Sequence, residues 1–227
     1  MIYLLGILIL LMLVFGPSLW VKQVLARYSR PVDRYPGTGG ELARHLLDSL
    51  SLQQVTTEIT DQGDHYDPDQ KAVRLTAEKF NGRSLTAITV AAHEVGHAHQ
   101  DSTGYQPLVW RTRLVKFLAP GERFGAAVLM LAPLVTLATR APLAGLLMLL
   151  GGFLVLGLGA LVHFITLPME LDASFGRALP LLEKGGYLKP GDERHARRIL
   201  RAAAFTYVSV SLMSLLNVSR WWIILRR

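Results

Sequence analysis

Two long stretches of this chain carry almost no charge, and they constrain its fold more than any other feature of the sequence. Residues 1–21 contain no charged side chain, and residues 124–169 contain only Arg140. About 20 consecutive apolar residues are enough for a helix to cross the ~30 Å hydrocarbon core of a bilayer. The second stretch exceeds one crossing, so we expect it to fold back at Arg140-Ala-Pro142. Both stretches therefore predict membrane-spanning helices.

The composition of the whole chain narrows the class of protein further. The 227 residues are 51% hydrophobic and 18% charged, which excludes a disordered chain, because such chains lack the apolar surface that repays the entropy of ordering. The chain has no cysteine, so disulfides, thiol nucleophiles and cysteine-ligated zinc sites are excluded. The net charge of +7 comes without a nucleic-acid-binding motif, and we predict no nucleic-acid partner.

The charge distribution divides the chain into five segments. Residues 1–21 are predicted to form an N-terminal transmembrane anchor, 22–123 a folded domain, 124–167 a transmembrane hairpin, 168–201 a polar segment with a basic helix, and 202–227 a fourth span or an interfacial helix. The expected fold class is an α+β domain integrated with a mainly α-helical transmembrane bundle of about four spans. Because most of the 24 Lys and Arg residues lie in the two polar segments, the positive-inside rule predicts a multi-pass protein of the inner (plasma) membrane with its folded domain in the cytosol.

The first polar segment has a mixed α and β pattern. Apolar residues at helical spacing predict a helix over 40–50, and alternating residues predict strands over 55–59 and 72–76. Ser84 is a suitable N-cap for a further helix over 85–100. The predicted order is helix, strand, strand, helix.

The last of these helices contains the five residues His93-Glu-Val-Gly-His97. With 3.6 residues per turn, the two histidines lie about 40° apart on one face, so both imidazoles can reach one metal ion. Glu94 lies one position round the helix, where it can accept a proton from a metal-activated water as a general base. The alternative is a surface helix with two histidines. The small and apolar residues of the preceding stretch 86–92 favour a buried helix instead.

A catalytic zinc site needs a third protein ligand and an open fourth position. The extended motif that takes a third histidine from the same segment fails, because Gln100 and Thr103 occupy the positions where it requires Gly and His. His163 lies in a predicted span and is equally well explained by packing. Glu170 follows that span on the same predicted side as the histidine pair, and we favour it as the third ligand. Its alternative is an ordinary acid at the membrane boundary.

Three stretches of sequence carry a resemblance to a known family. They are His93-Glu-Val-Gly-His97, His65-Tyr-Asp-Pro68 with Val73-Arg-Leu75, and Leu167-Pro-Met-Glu-Leu-Asp-Ala-Ser174. Together they resemble the YugP-type family of neutral zinc metallopeptidases of bacterial membranes, and the likeness covers nearly the whole chain.

The resemblance implies a zincin-like catalytic domain and one zinc ion per chain. The zinc would be held by His93, His97 and Glu170, with Glu94 as the catalytic residue. The chain is also distantly similar to the HtpX and CAAX prenyl protease group, in which the Glu ligand is followed by Ala-Asp. This chain has Ala173-Ser174 at that place. The residue that orients a zinc histidine therefore stays open between Asp172 and Ser174.

From these features we expect an integral membrane zinc metalloendopeptidase whose catalytic domain, residues 22–123, is completed by the segment 168–201 with the third ligand. Expected partners are a peptide or membrane-protein substrate, the lipid bilayer, and membrane proteins or a second copy of the chain. The competing hypothesis is a catalytically silent zinc-fold scaffold or a partner subunit of a membrane protease or chaperone complex. Glu94 argues against it, since a structural metal needs no general base. A transporter finds little support, because Arg140 and His163 are the only ionisable residues in the predicted spans.

Two features near the motif have open roles. We expect the strand over 72–76 to be an edge strand, either a plain one or one that pairs with an extended peptide. His65 and Tyr66 either donate hydrogen bonds to the developing oxyanion or have turn and core roles.

Overall fold

A computed structural model describes the backbone of residues 2–215. Within that range it also describes the side chains, except at 2–11, 13–14, 119–126, 129, 142, 152–161, 163–165 and 207–215. The side chain of His163, which the sequence offers as an alternative ligand, and residues 216–227, which include the end of the predicted fourth span, lie outside the described residues.

The described chain is mainly helical, with one small sheet. The elements are α1 (Ile2–Tyr28), α2 (Gly39–Ser49), β1 (Thr56–Ile59), β2 (His65–Asp67), β3 (Ala72–Leu75), α3 (Ala77–Phe80), α4 (Leu85–Ser102), α5 (Gln106–Thr139), α6 (Pro142–Leu171), α7 (Leu179–Lys184) and α8 (Glu193–Leu215). A π-helical segment, Asp172–Ala178, joins α6 to α7.

The sheet has the strand order β1-β3-β2, with β3 parallel to β1 and antiparallel to β2. The prediction that the strand over 72–76 is an edge strand is wrong, because β3 is paired on both sides and Ala72, Val73 and Leu75 are buried. The edge strand beside α4 is β2, which the sequence pattern does not predict. A strand of three residues is too short to show alternation.

Helix α4 is the central element of the core. The Ser84 hydroxyl accepts a hydrogen bond from the Ala87 amide at 3.1 Å, which confirms the predicted N-cap. Every side chain from Leu85 to Ala98 is buried, because α2, the sheet, α8 and the π-helical segment all pack against the helix. A helix whose side chains are this well packed holds them in fixed positions.

The predicted transmembrane bundle is wrong. Over the residues that the structure describes, no helix is long and apolar enough to cross a membrane. The two terminal apolar runs belong instead to helices that help to build the core of the folded domain. Val21 and Val24 of α1 lie in the same core cluster as Ile199 and Leu200 of α8, and α8 begins with a strongly charged stretch, residues 193–201. These four residues are therefore covered by protein, whereas Met12, Phe15 and Leu19 of α1 are exposed.

The long apolar stretch does fold back where the sequence predicts. Helix α5 ends at Thr139 and α6 begins at Pro142, and Arg140 adopts the left-handed conformation (φ 53°) that ends a helix. Helix α5 starts at Gln106, well before the predicted position near Phe124.

Candidate metal centre

Three buried side chains from distant parts of the chain converge at one point. They are His93 and His97 from α4 and Glu170 from the last turn of α6, and their ligand atoms all lie within 4.8 Å of one another. The Glu170 Oε2 atom lies 3.2 Å from His93 Nε2 and 3.3 Å from His97 Nε2. Glu170 itself is completely buried.

A close helix contact brings Glu170 to the histidines. At Gly96, between the two histidines, an added Cβ would lie 2.6 Å from the carbonyl oxygen of Ala173. Such a distance is far inside van der Waals contact, so only glycine lets α4 approach the π-helical segment this closely. A π-helical turn immediately after a metal-binding residue matches the known preference of such turns for functional sites.

The outer nitrogen of His93 is held by Ser174. The Ser174 hydroxyl lies 3.0 Å from His93 Nδ1 and 3.2 Å from the carbonyl oxygen of Leu200. A hydroxyl has one proton to donate, and the carbonyl can only accept. The hydroxyl therefore donates to Leu200 and accepts from His93, so His93 carries its proton on Nδ1.

The outer nitrogen of His97 is held by Gln100. The Gln100 amide nitrogen donates to the carbonyl oxygen of Met169 and to Asp172 Oδ2, both at 2.8 Å. Its oxygen is therefore the atom 3.0 Å from His97 Nδ1, and an oxygen there must accept the proton. Asp172 in turn accepts from Arg177 Nε at 2.9 Å. His97 thus also carries its proton on Nδ1.

These proton positions decide whether the site fits a metal ion. With both protons on Nδ1, the Nε2 lone pairs of His93 and His97 point at the carboxylate of Glu170. Neither Glu170 oxygen, both buried, accepts a hydrogen bond from the described part of the chain. Buried acceptors that face one another without a donor are costly unless a cation lies between them. Two imidazoles and a carboxylate are a common ligand set of catalytic zinc, so the residues fit the ion.

Without a metal ion, a proton on His97 takes the place of the cation between these groups. Burial opposes protonation of His97, but the carboxylate of Glu170 outweighs it and raises the pKa of His97 to about 9. Burial also opposes ionisation of Glu170, yet the neighbouring His97 charge lowers its pKa to about 2. The carboxylate is therefore ionised at neutral pH and attracts one positive charge, a proton or a metal ion.

Glu94 is buried beside the histidines but in a different electrostatic setting. Burial raises its pKa above the ordinary value for glutamate. Two buried carboxylates of one site thus have pKa values shifted in opposite directions. In a pair of this kind, one carboxylate stays charged and the other can exchange a proton.

The site opens into a cleft of about 650 Å³, within the size range of small-ligand sites. His93, Glu94, His97 and Glu170 all line it. On one side the cleft is bordered by the stretch 62–66 with Pro68, which includes β2.

Tyr66 and His65 both line the cleft, and each makes one local hydrogen bond. The Tyr66 hydroxyl donates to Asp101 Oδ2 at 2.6 Å, so it holds β2 against the end of α4 and is not available to an oxyanion. His65 Nδ1 donates to the carbonyl oxygen of Gly63 at 2.8 Å, a turn contact.

Sequence reasoning missed part of this site. The sequence analysis names Gln100 only because it does not match the extended zinc motif. It lies three residues after His97 on the same helix face, which is the signal that could have identified it. Ser174 was one of two open candidates for orienting a histidine. The structure places Ser174 on His93 and links Asp172 to His97 through Gln100. No sequence pattern indicates a role for Arg177, because its contact with Asp172 depends on the π-helical turn. His99 lies outside the converging triad.

The fold and site define a class of protein: an α+β domain with a helix-borne His-Glu-x-x-His motif and a downstream glutamate, suited to one catalytic zinc ion. The sequence model of the family described as "Putative neutral zinc metallopeptidase" matches residues 3–226, and the chain belongs to this family. It is 36% identical over 220 residues to "Putative membrane protease YugP" of Bacillus subtilis (strain 168), with 91% of this chain and 90% of that protein covered. No solved structure matches the chain. The family resemblance and the prediction of one zinc ion are confirmed.

Proposed function

We propose that this chain is a zinc endopeptidase that hydrolyses peptide bonds in the cleft above His93 and His97. The observation that carries the proposal is the convergence of the two imidazoles with Glu170 in an open cleft that Glu94 also lines. A structural zinc site is closed by four protein ligands, whereas a catalytic site keeps one position open. Three converging ligands of the described chain leave that position for a water molecule.

The reaction follows from the roles of these side chains. A zinc ion held by His93, His97 and Glu170 would supply Lewis-acid chemistry, which activates a water molecule and polarises the scissile carbonyl. Glu94 accepts one proton from the attacking water on its carboxylate and passes it to the nitrogen of the leaving amine, so the proton count balances. Burial raises its pKa, which favours the form that holds the proton between the two transfers.

The position of β2 supports a peptide as the substrate. In the described sheet, β2 pairs with β3 along one side only, and its residues His65 and Tyr66 line the cleft. The free side of an edge strand offers main-chain donors and acceptors to an extended peptide. The Tyr66–Asp101 hydrogen bond keeps this edge at a fixed position relative to the metal helix.

We further propose that the chain works at a membrane surface, on peptides or membrane proteins near the lipid bilayer. Support comes from the relative, whose name describes a membrane protease, and from large exposed apolar side chains on α5 and α6. These include Leu134, Leu137, Leu143 and Leu147, and such surfaces are typical of interaction sites. Cell fractionation and flotation of the purified chain with liposomes test this. Recovery away from lipid in both assays would contradict it.

The test of the catalytic proposal compares wild type with Glu94→Gln. We expect wild type to hold one zinc ion per chain and to cleave members of a broad peptide library. Glu94→Gln should keep the zinc and lose cleavage by about 100-fold or more, in line with the loss of a general base. Zinc is measured by metal analysis of the purified chain and cleavage by mass spectrometry of the products.

The same experiment decides against the competing scaffold hypothesis. A scaffold would hold zinc in both proteins, and wild type would leave the library intact. Glu183→Gln, which changes an exposed carboxylate of α7 that pairs with Arg197, is the matched control and should behave as wild type.

A further inference from the structure

Five apolar residues that line the cleft come from helices: Leu25 of α1, Val90 of α4, Leu108 of α5, Met169 of α6 and Ala203 of α8. We call this set of residues the helical wall. It borders the same cleft as β2 and the triad. Val90, Leu108 and Met169 are almost fully buried, so the wall is supported from behind by the core.

The helical wall determines which side chains the cleft can accept. A polar or charged side chain placed against it would lose its water without gaining a partner, whereas an apolar side chain would gain by leaving water. The cleft therefore discriminates by polarity.

We propose that the cleft selects extended peptides with a large apolar side chain, such as leucine, next to the bond to be cleaved, and that this side chain lies against the helical wall. This inference rests on the proposed peptidase function and adds the substrate class. Ala203 is the smallest of the five residues and therefore leaves the most room for a substrate side chain at the wall. It is thus a specificity-determining residue.

Binding to the full-length, zinc-loaded Glu94→Gln protein tests the proposal without turnover. The probes are fluorescent peptides of glycine, serine and threonine that differ only in one central residue: leucine, alanine, lysine or glutamate. We expect leucine to bind at least about tenfold more tightly than alanine, the usual discrimination of an apolar pocket, and lysine and glutamate to bind more weakly than leucine. Equal affinity for leucine and alanine, or tightest binding of glutamate, would overturn the proposal.

Variants of the wall give a second, independent readout. Ala203→Leu should weaken the leucine peptide by about tenfold and leave the alanine peptide nearly unchanged. Leu25→Ala should leave more room at the wall and shift the preference from leucine to phenylalanine, measured with a further peptide of the same series that has a central phenylalanine. Ala138→Leu adds the same side chain on an exposed position of α5 and should change neither affinity. Zinc content and thermal melting establish that each variant is folded. Unchanged preferences in both folded wall variants would overturn the proposal.

The two failures are distinguishable. If wild type cleaves peptides without preference for apolar residues, the specificity inference is wrong and the peptidase proposal stands. If the peptides bind with the expected preference but wild type cleaves none of them, the peptidase proposal is wrong and the inference about the cleft stands.

Discussion

His93 and His97 lie one turn apart on the same helix and face the same carboxylate oxygen at 3.2 and 3.3 Å, yet their surroundings differ. Behind His93 is a short, neutral and fully buried contact, the Ser174 hydroxyl that itself bonds to a main-chain carbonyl. Behind His97 is a chain of side chains that runs from Gln100 through Asp172 to Arg177. One ring is therefore oriented by a neutral hydroxyl and the other by a charged network.

The difference shows what the Ser174 contact, the support of His93, and the Gln100–Asp172–Arg177 network, the support of His97, each contribute. A hydroxyl bonded to a main-chain carbonyl fixes a ring and its proton but adds no charge. A network that ends in an ion pair also makes the ring a stronger electron-pair donor, because the carboxylate polarises the amide between them. We therefore expect loss of the His97 support to cost more metal affinity than loss of the His93 support.

Removing the carboxylate that both histidines share should have the largest effect. Glu170→Ala takes away one of three ligands, so we expect zinc affinity to fall by more than about 100-fold, beyond the range of outer-shell changes. Competition with a chelator of known affinity measures it. Glu183→Ala, at an exposed acid, is the control. Equal zinc retention in Glu170→Ala and Glu94→Gln would refute the ligand assignment.

Breaking the network behind His97 should come next. Gln100→Leu removes the acceptor of the His97 proton and leaves Asp172 with Arg177 alone. We expect zinc affinity to fall by about 10–100-fold, measured by the same competition. Gln106→Leu, the same change at an exposed position of α5, should have no effect. An unchanged affinity in Gln100→Leu would remove the proposed role of the network.

Ser174→Ala should have a smaller effect of the same kind. It leaves the His93 proton without an acceptor and opens only a small gap, so we expect a loss of about tenfold in zinc affinity, the low end of the range. Ser102→Ala, at an exposed hydroxyl at the end of α4, is the control. A larger loss for Ser174→Ala than for Gln100→Leu would reverse the comparison.

The smallest effect concerns the pH dependence of the metal-free protein. The pKa of His97 is raised from 6.5 to about 9, so the protonated ring stabilises the fold fully below pH 6.5 and this contribution is lost as the pH rises to 9. The pKa of Glu170 is lowered from 4.5 to about 2, so its contribution is present above pH 4.5 and is lost as the pH falls towards 2. In thermal melting of the metal-free protein, the stabilisation by the His97–Glu170 pair should therefore be largest between about pH 4.5 and 6.5.

A variant sharpens this measurement. Gln100 is one of the groups that raise the pKa of His97, so Gln100→Leu should move the alkaline loss of stability to lower pH. Ser174→Ala does not touch His97 and should leave the position of that loss unchanged. The same shift in both variants would show that the network does not act on His97 specifically.

The parts of the site that depend on local sequence could be predicted. The spacing of His93 and His97 fixes their common face once the helix forms, and Ser84 shows where that helix begins. Glu170 was favoured by its place after an apolar run and by family resemblance, and the structure brings it to the pair. The contacts of Gln100 with Met169 and Asp172 depend on how two distant segments pack, and no local pattern encodes that.

The transmembrane prediction failed for a physical reason. An apolar run shows that a segment avoids water, but it does not show whether lipid or protein covers it. In α1 and α8 part of the apolar face is covered by the core that surrounds α4. The three-residue strand β2 was missed for the opposite reason, since its pairing comes from tertiary contacts and leaves too short a pattern to detect.

Asp101 lies one helical turn beyond His97 and accepts hydrogen bonds from both Tyr66 of β2 and Lys71, which directly precedes β3. Asp101 thus fixes β2, the strand proposed to pair with a peptide, to the same helix that carries His93 and His97. The distance between β2 and the two histidines is therefore set by α4 itself. The three-stranded sheet thereby keeps β2 at a fixed position relative to the His93 and His97 pair.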